Sequence, residues 1–171
     1  FWPYSRKSKP KQFLDFFGTG NTLLQQTFDR YSQIVTPENI IVITNAEYEE
    51  LVKEQLPLLK EGQIILEPTR RNTAPCIAYV CWKIKARNPK ANMVVTPSDH
   101  IVMDVHEFQR VINSALKFTD KSDAILTLGM TPTRPETGYG YIEADLSLPS
   151  NSNREIYRVD SFKDKPDLAT A

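Results

Sequence analysis

The amino-acid sequence predicts an α/β fold with a mainly parallel sheet flanked by helices and a small antiparallel extension. Three observations carry this expectation. Short β-branched or apolar runs without polar alternation recur along the chain, as in strands buried on both faces. Segments with helical spacing of apolar residues separate those runs, which is what crossover connections between parallel strands require. After Gly129 the helical periodicity stops, and Thr, Pro and Gly gather before two further β-like pieces.

From Asn21 an apolar stripe passes through Leu24, Phe28, Tyr31 and Val35, whose spacings of four, three and four set them on one helical face. Pro37 ends this helix, and Ile40-Ile41-Val42-Ile43-Thr44 follows as a strand. Asn45 caps a second helix that runs to about Leu56, before Pro57. Gln63 to Leu66 is the next strand, and a helix from about Thr73 to Arg87 follows it. Strands are expected at Asn92 to Thr96 and Ala124 to Leu128, with a helix from Val105 to about Thr119 between them. Asp104 and Glu107 have capping-box spacing at the start of that helix. Tyr141-Ile142-Glu143 and Glu155 to Val159 form the antiparallel extension, with Pro149 to Asn153 as its turn.

With 171 residues, 40% hydrophobic and 25% charged, the chain suits one globular domain. Its 21 basic and 21 acidic side chains cancel, so no overall field draws nucleic acid or an anionic membrane, and an anion must be held locally. No apolar run reaches the roughly 18 to 20 residues of a membrane helix, and no signal-peptide pattern is present; the expected location is cytoplasmic. Cys76 and Cys81, five apart in a helical segment, cannot readily bridge and are expected as buried free thiols.

Several stretches offer chemistry, each with a plainer reading beside it. Arg6-Lys7-Ser8-Lys9-Pro10-Lys11 gathers four cations without a carboxylate; it suits a triphosphate, while composition alone favours a solvated basic loop. Glu67-Pro68-Thr69-Arg70-Arg71-Asn72-Thr73-Ala74-Pro75 joins a strand end to a helix start, where Asn72 or Thr73 is placed to cap. Thr96-Pro97-Ser98-Asp99-His100 sets a carboxylate at the carboxyl edge of the sheet, suited to a hard cation or to shaping a turn. His100 beside one Asp does not make a transition-metal set, and His106 falls on a helix surface. Gly138-Tyr139-Gly140-Tyr141-Ile142-Glu143 combines glycines, rings and a carboxylate, an inventory that fits a sugar as well as a glycine turn entering a strand.

Phe1-Trp2-Pro3-Tyr4-Ser5-Arg6 followed by Pro10-Lys11-Gln12-Phe13-Leu14 resembles the second part of the signature of mannose-1-phosphate guanylyltransferases, a group of sugar nucleotidyltransferases. The later stretches fall in that family's order, including Phe162-Lys163-Asp164-Lys165-Pro166, where Asp164 replaces an expected Glu. The resemblance implies a Rossmann-like nucleotidyltransferase fold and a set of roles. Lys11 would neutralise charge on the α-phosphate and pyrophosphate, and Arg6 would assist the triphosphate. Asp99 would hold Mg²⁺. Glu67, Pro68, Arg71, Asn72, Thr73, Ala74 and Ser98 would contact the nucleotide. Tyr139, Gly140, Glu143, Asp164 and Lys165 would contact the sugar phosphate, with Thr137 as a further contact.

The activity so implied is transfer of GMP from GTP to α-D-mannose 1-phosphate, giving GDP-mannose and pyrophosphate. Two alternatives stay open: a sister enzyme using another base or hexose, and a non-catalytic subunit that senses GDP-mannose. By the same resemblance, residues 1–171 are part of a catalytic domain that lacks its first strand, its glycine-rich phosphate turn and its C-terminal part. Little turnover and poor solubility are therefore expected of the segment alone. Homo-oligomerisation of the full-length protein is left open.

Overall fold

The alternation of elements is present in a computed structural model of the chain, whose described residues are 3–69, 71–150 and 153–171. Phe1, Trp2, Arg70, Asn151 and Ser152, all in stretches singled out above, lie outside the described residues. The chain divides into two compact units, residues 1–116 and 117–171.

In the first unit a 3-10 turn at Lys11–Phe13 precedes α1 (Leu23–Ser32). Helix α1 starts where it does because Thr22 and Gln25 form a reciprocal capping box: Gln25 N–H donates to Thr22 Oγ1 at 3.3 Å, and Thr22 N–H donates to Gln25 Oε1 at 2.9 Å. A turn at Pro37–Asn39 leads into β1 (Val42–Thr44). Asn45 caps as expected, accepting from Glu47 N–H, but it opens a short 3-10 turn, Ala46–Tyr48, before α2 (Glu49–Gln55). Strand β2 (Ile64–Leu66) then lies parallel to β1, with Val42, Ile43 and Thr44 opposite Ile64, Ile65 and Leu66.

Buried Phe13, Leu24, Val52 and Leu56 form the core, with Phe28, Val42, Tyr48, Leu51, Leu59 and Ile64 packed around them. Polar clamps close it. Gln63 is buried and spends its amide on the carbonyls of Pro37 at 2.7 Å and Ile40 at 2.8 Å. Gln55 at the end of α2 donates to the Phe13 carbonyl at 3.1 Å and accepts from the Thr22 hydroxyl at 2.7 Å. Buried polar atoms of this kind must be satisfied internally.

Helices α3 (Thr73–Arg87) and α4 (Val105–Thr119) have the expected limits. Asp104 caps α4 by accepting from Glu107 N–H at 2.9 Å, but only half of the capping box forms, because the Glu107 carboxylate pairs with Arg110 at 2.7 Å.

The parallel sheet is two strands wide, which corrects two expected strands. Residues 92–96 and 124–128 join no ladder among the described residues, and Val95 and Ile125 are 56% and 98% exposed. An apolar run becomes a strand only when neighbouring backbone takes up its N–H and C=O groups. The same narrowness explains why β1 is half-buried rather than covered on both faces, and why no residue of α3 is buried. Cys76 and Cys81 on α3 are free but half-buried, not buried.

In the second unit β3 (Tyr141–Ser150) and β4 (Asn153–Lys163) pair antiparallel, with Tyr141, Ile142 and Glu143 opposite Lys163, Phe162 and Ser161. Both strands are longer than the sequence suggests, and Pro149, Ser150 and Asn153, expected in the turn, are paired in the ladder. Among the described residues, no helix is long and apolar enough to cross a membrane.

Candidate active site

Lys11 opens the 3-10 turn whose third residue, Phe13, is 2% exposed in the core. Leu14 N–H closes the turn on the Lys11 carbonyl at 3.1 Å, and Gln55 holds the Phe13 carbonyl. A buried ring and a side-chain clamp thus fix the backbone from which the ammonium extends. That ammonium meets Asp99: Nζ lies 2.7 Å from Oδ2. The structure therefore brings together two residues that sequence reasoning chose separately, from motifs 88 positions apart.

Asp99 sits in a turn after the irregular segment 91–97, its side chain 18% exposed. His100 Nε2 is 3.9 Å from Asp99 Oδ1 and mostly exposed, so it adds no ligand set of its own. Among the described residues no group of three or more His, Cys, Asp or Glu is placed to hold a metal. A cage of protein ligands would require such a group. One accessible carboxylate completed by phosphate oxygens and water is a common arrangement for Mg²⁺, and that is the arrangement this donor set fits.

Arg6 and Lys9 close a tight turn through two backbone bonds, Arg6 N–H to Lys9 O at 3.2 Å and Lys9 N–H to Arg6 O at 3.0 Å. Tyr48 hydroxyl donates to the Lys7 carbonyl at 3.0 Å, pinning that turn to the start of α2. Arg6, Lys7 and Ser8 line an open hollow of about 600 Å³ with Glu47 and Tyr48. The Arg6 guanidinium itself bonds the Pro3 carbonyl at 3.2 Å.

Glu67 lies at the carboxyl end of β2, its N–H donated to the Thr44 carbonyl at 2.8 Å, so the stretch 67–75 begins at the sheet edge where open α/β sheets bind ligands. Pro68, Arg71, Asn72, Thr73 and Ala74 are exposed, and Ser98 is half-buried beside Asp99. Asn72 occupies the N-cap position of α3, but the expected side-chain cap is missing. The reason is its backbone, with φ 67° and ψ −173°, a conformation that glycine adopts and that turns the chain sharply. The Cys76 thiol is pushed up to about 11, by burial first and then by its hydrogen bond and proximity to Glu67.

In the second unit Glu143 accepts from the Ser161 hydroxyl at 2.7 Å and lies 3.5 Å from Lys163 Nζ. Ser161 first, then Lys163, hold this carboxylate below the usual glutamate range. Tyr139 is 71% exposed and Gly140 precedes β3. Neither Gly138 nor Gly140 has a positive φ, and a side chain at Gly140 would meet the Lys163 carbonyl at an ordinary 3.7 Å. Lys165 has φ 42° and pairs loosely with Asp164 at 3.5 Å.

Three residues at these sites escaped sequence reasoning. Ser161 and Lys163 become visible only once the hairpin register sets them opposite Glu143 and Tyr141. Arg30 is buried on α1, 6% exposed, where it donates to Thr27 Oγ1 at 3.2 Å and to the His100 carbonyl at 3.3 Å. The available signal was its place on one helical face with Leu23 and Thr27, a face that should hold no lone cation.

Comparison with known proteins places this chain in a family. The chain is 40% identical over 174 residues to a mannose-1-phosphate guanylyltransferase of Escherichia coli, covering 99% of this chain and 37% of that protein. It is 39% identical to the alginate biosynthesis protein AlgA of Pseudomonas aeruginosa, covering 99% of this chain and 35% of that one. The chain therefore spans a little over a third of the length of these relatives. Among solved structures it resembles the mannose-1-phosphate geranyltransferase of Thermus thermophilus, with a TM-score of 0.84, 30% identity, and coverage of 99% of this chain and 48% of that one. It also resembles a mannose-6-phosphate isomerase of Helicobacter pylori, with a TM-score of 0.75, 27% identity, and coverage of 96% and 59%. These likenesses bear out the α/β class that the helix and strand order predicts and the Rossmann-like fold that the family resemblance implies. The model of the nucleotidyl transferase family matches residues 1–171, and the chain belongs to that family.

Proposed function

We propose that the complete protein transfers GMP from GTP to α-D-mannose 1-phosphate, giving GDP-mannose and pyrophosphate. The observation that carries this reading is the meeting of Lys11 and Asp99 at 2.7 Å, a cation and a hard carboxylate in one place, in a chain 40% identical to a mannose-1-phosphate guanylyltransferase. An oxygen of the sugar phosphate forms a bond to the α-phosphorus as the α–β bond breaks, and the electron pair leaves on pyrophosphate. No covalent enzyme intermediate is needed.

The protein's part in such a transfer is positioning and charge stabilisation. Lys11 exchanges its carboxylate partner for phosphate oxygens and neutralises the charge that grows on the α-phosphate and pyrophosphate. Arg6 holds the outer phosphates. Glu67, Pro68, Arg71, Asn72, Thr73, Ala74 and Ser98 contact the nucleotide. Glu143, already an acceptor for Ser161, accepts from sugar hydroxyls; Lys165 orients the attacking phosphate, with Tyr139, Gly140 and Asp164 as neighbouring contacts. Asp99 would hold Mg²⁺, which when bound supplies positive charge to the phosphate oxygens. We place the reaction in the cytoplasm.

The test is pyrophosphate release by the full-length protein given Mg²⁺, mannose 1-phosphate and each nucleoside triphosphate in turn. Release with GTP is expected. A preference for ATP, UTP or dTTP would replace the base assignment, and binding of GDP-mannose without release from any triphosphate would replace the catalytic one.

A further inference from the structure

Arg30 is a buried cation whose charge no carboxylate balances among the described residues. Its guanidinium lies 5.2 Å from the Phe108 ring centre and 6.0 Å from that of Tyr31, and these two rings meet edge to face at 5.5 Å. Nη2 bonds Thr27 Oγ1 and the His100 carbonyl, while Nε has no hydrogen-bond partner. Burial lowers its pKa, as expected of a cation withdrawn from water. A methionine or leucine would fill such a place at lower cost, because an uncompensated buried charge is expensive. Packing alone therefore does not account for an arginine here.

The position of its one long-range bond does. The carbonyl it grips belongs to His100, next to Asp99, and the segment on the other side of Asp99 joins no strand ladder. Asp99 is thus held by Lys11 through its side chain and by Arg30 through the backbone that follows it. Helix α1, itself fixed by the Thr22 capping box, supplies a rigid base for that hold, and the Phe108 ring of α4 keeps the guanidinium in place.

We propose that Arg30 is a positioning residue: through the His100 carbonyl it sets the turn that presents the Asp99 carboxylate to a divalent cation. This rests on the reading of Asp99 as the cation's ligand. Arg30 touches neither substrate nor metal, and acts only through the backbone.

The test uses the full-length protein with GTP, taking Mn²⁺ as the probe and reading its binding by electron paramagnetic resonance. Arg30→Met should weaken Mn²⁺ binding roughly 10- to 100-fold, the range seen when a group that orients a metal ligand is lost. Hydrogen exchange should speed up in the peptide around Asp99 and stay unchanged across α2. Arg30→Lys keeps the charge but not the rigid fork, and should weaken Mn²⁺ binding by a smaller factor while remaining folded; it carries the test if the Met variant does not fold. In an Asp99→Asn background, Arg30→Met should cost no further Mn²⁺ affinity. Parental Mn²⁺ affinity in a folded Arg30 variant, with Asp99→Asn defective, would overturn the role of Arg30 alone. Parental affinity in Asp99→Asn would overturn the metal assignment of Asp99, and the inference with it.

Discussion

Lys11 Nζ and Asp99 Oδ2 are 2.7 Å apart, so the cation and the carboxylate that the proposed reaction needs neutralise each other. The Lys11 side chain is 43% exposed, and a pair so open to water contributes about 0.2 to 1 kcal/mol to stability. The pairing is therefore cheap to break when phosphates arrive. Lys11→Ala in the full-length enzyme should lower turnover by roughly 10² to 10³ while leaving the KM for sugar phosphate nearly unchanged. Its urea midpoint should barely move. The exchanged pair, Lys11→Asp with Asp99→Lys, should restore the ion pair without restoring turnover. Near-parental turnover of either variant would remove Lys11 from the chemistry.

The turn that carries Lys11 depends on Phe13, which is 2% exposed and packs against Tyr48 with ring centres 5.8 Å apart. Phe13→Ala should cost about 3 to 5 kcal/mol, the sum of lost transfer energy and an unfilled cavity. Phe13→Leu should cost less, because more of the volume stays filled. Urea unfolding of the full-length variants measures both, and a loss below about 1 kcal/mol for Phe13→Ala would mean the surrounding core collapses into the gap.

How much of this was legible in sequence differs between helices and strands. Periodicity placed α3 and α4 at their observed limits, because a helix makes most of its backbone hydrogen bonds within its own segment. A strand depends on another chain segment. The runs 92–96 and 124–128 have the composition of strands yet join no ladder, while β3 and β4 extend well past their apolar centres because each supplies the other's partners. At the site, Lys11 and Asp99 were legible as motifs but their meeting was not. Arg30 was hidden because its partners are a carbonyl 70 positions away and two rings, none of which leaves a pattern in sequence.

Cys76 offers a pH-dependent reporter of the junction between β2 and α3. Burial, then Glu67, raises its thiol from 9.0 to about 11. A raised value in the folded state means that the fold favours the neutral thiol. That contribution is complete below the unfolded value and is lost as pH rises from about 9 through about 11. Iodoacetamide labelling of Cys76, followed by peptide mass spectrometry, should be slow at about pH 8 and rise toward pH 11, because only the thiolate reacts. Glu67→Gln removes the charge and should move the labelling curve toward lower pH. Rapid labelling of Cys76 at about pH 8 in the parent protein would contradict the environment described for it.

Asn72 should trade stability for nucleotide binding. With φ 67° and ψ −173° it holds a backbone conformation suited to glycine, at a cost of about 1 to 3 kcal/mol. Its side chain makes no capping bond to repay that strain. Asn72→Gly relieves the strain but adds freedom to the unfolded chain worth about 0.5 to 1 kcal/mol, so a net gain of roughly 1 kcal/mol is expected in urea unfolding. If the Asn72 amide contacts the base, the same variant loses a hydrogen bond, and the KM for GTP should rise about tenfold with turnover little changed. Asn72→Ala keeps the strain and loses the amide, so it should show the binding defect without the gain in stability. A stabilised Asn72→Gly enzyme with parental KM would show that the backbone at this position serves only to turn the chain into α3, and would remove Asn72 from the nucleotide contacts.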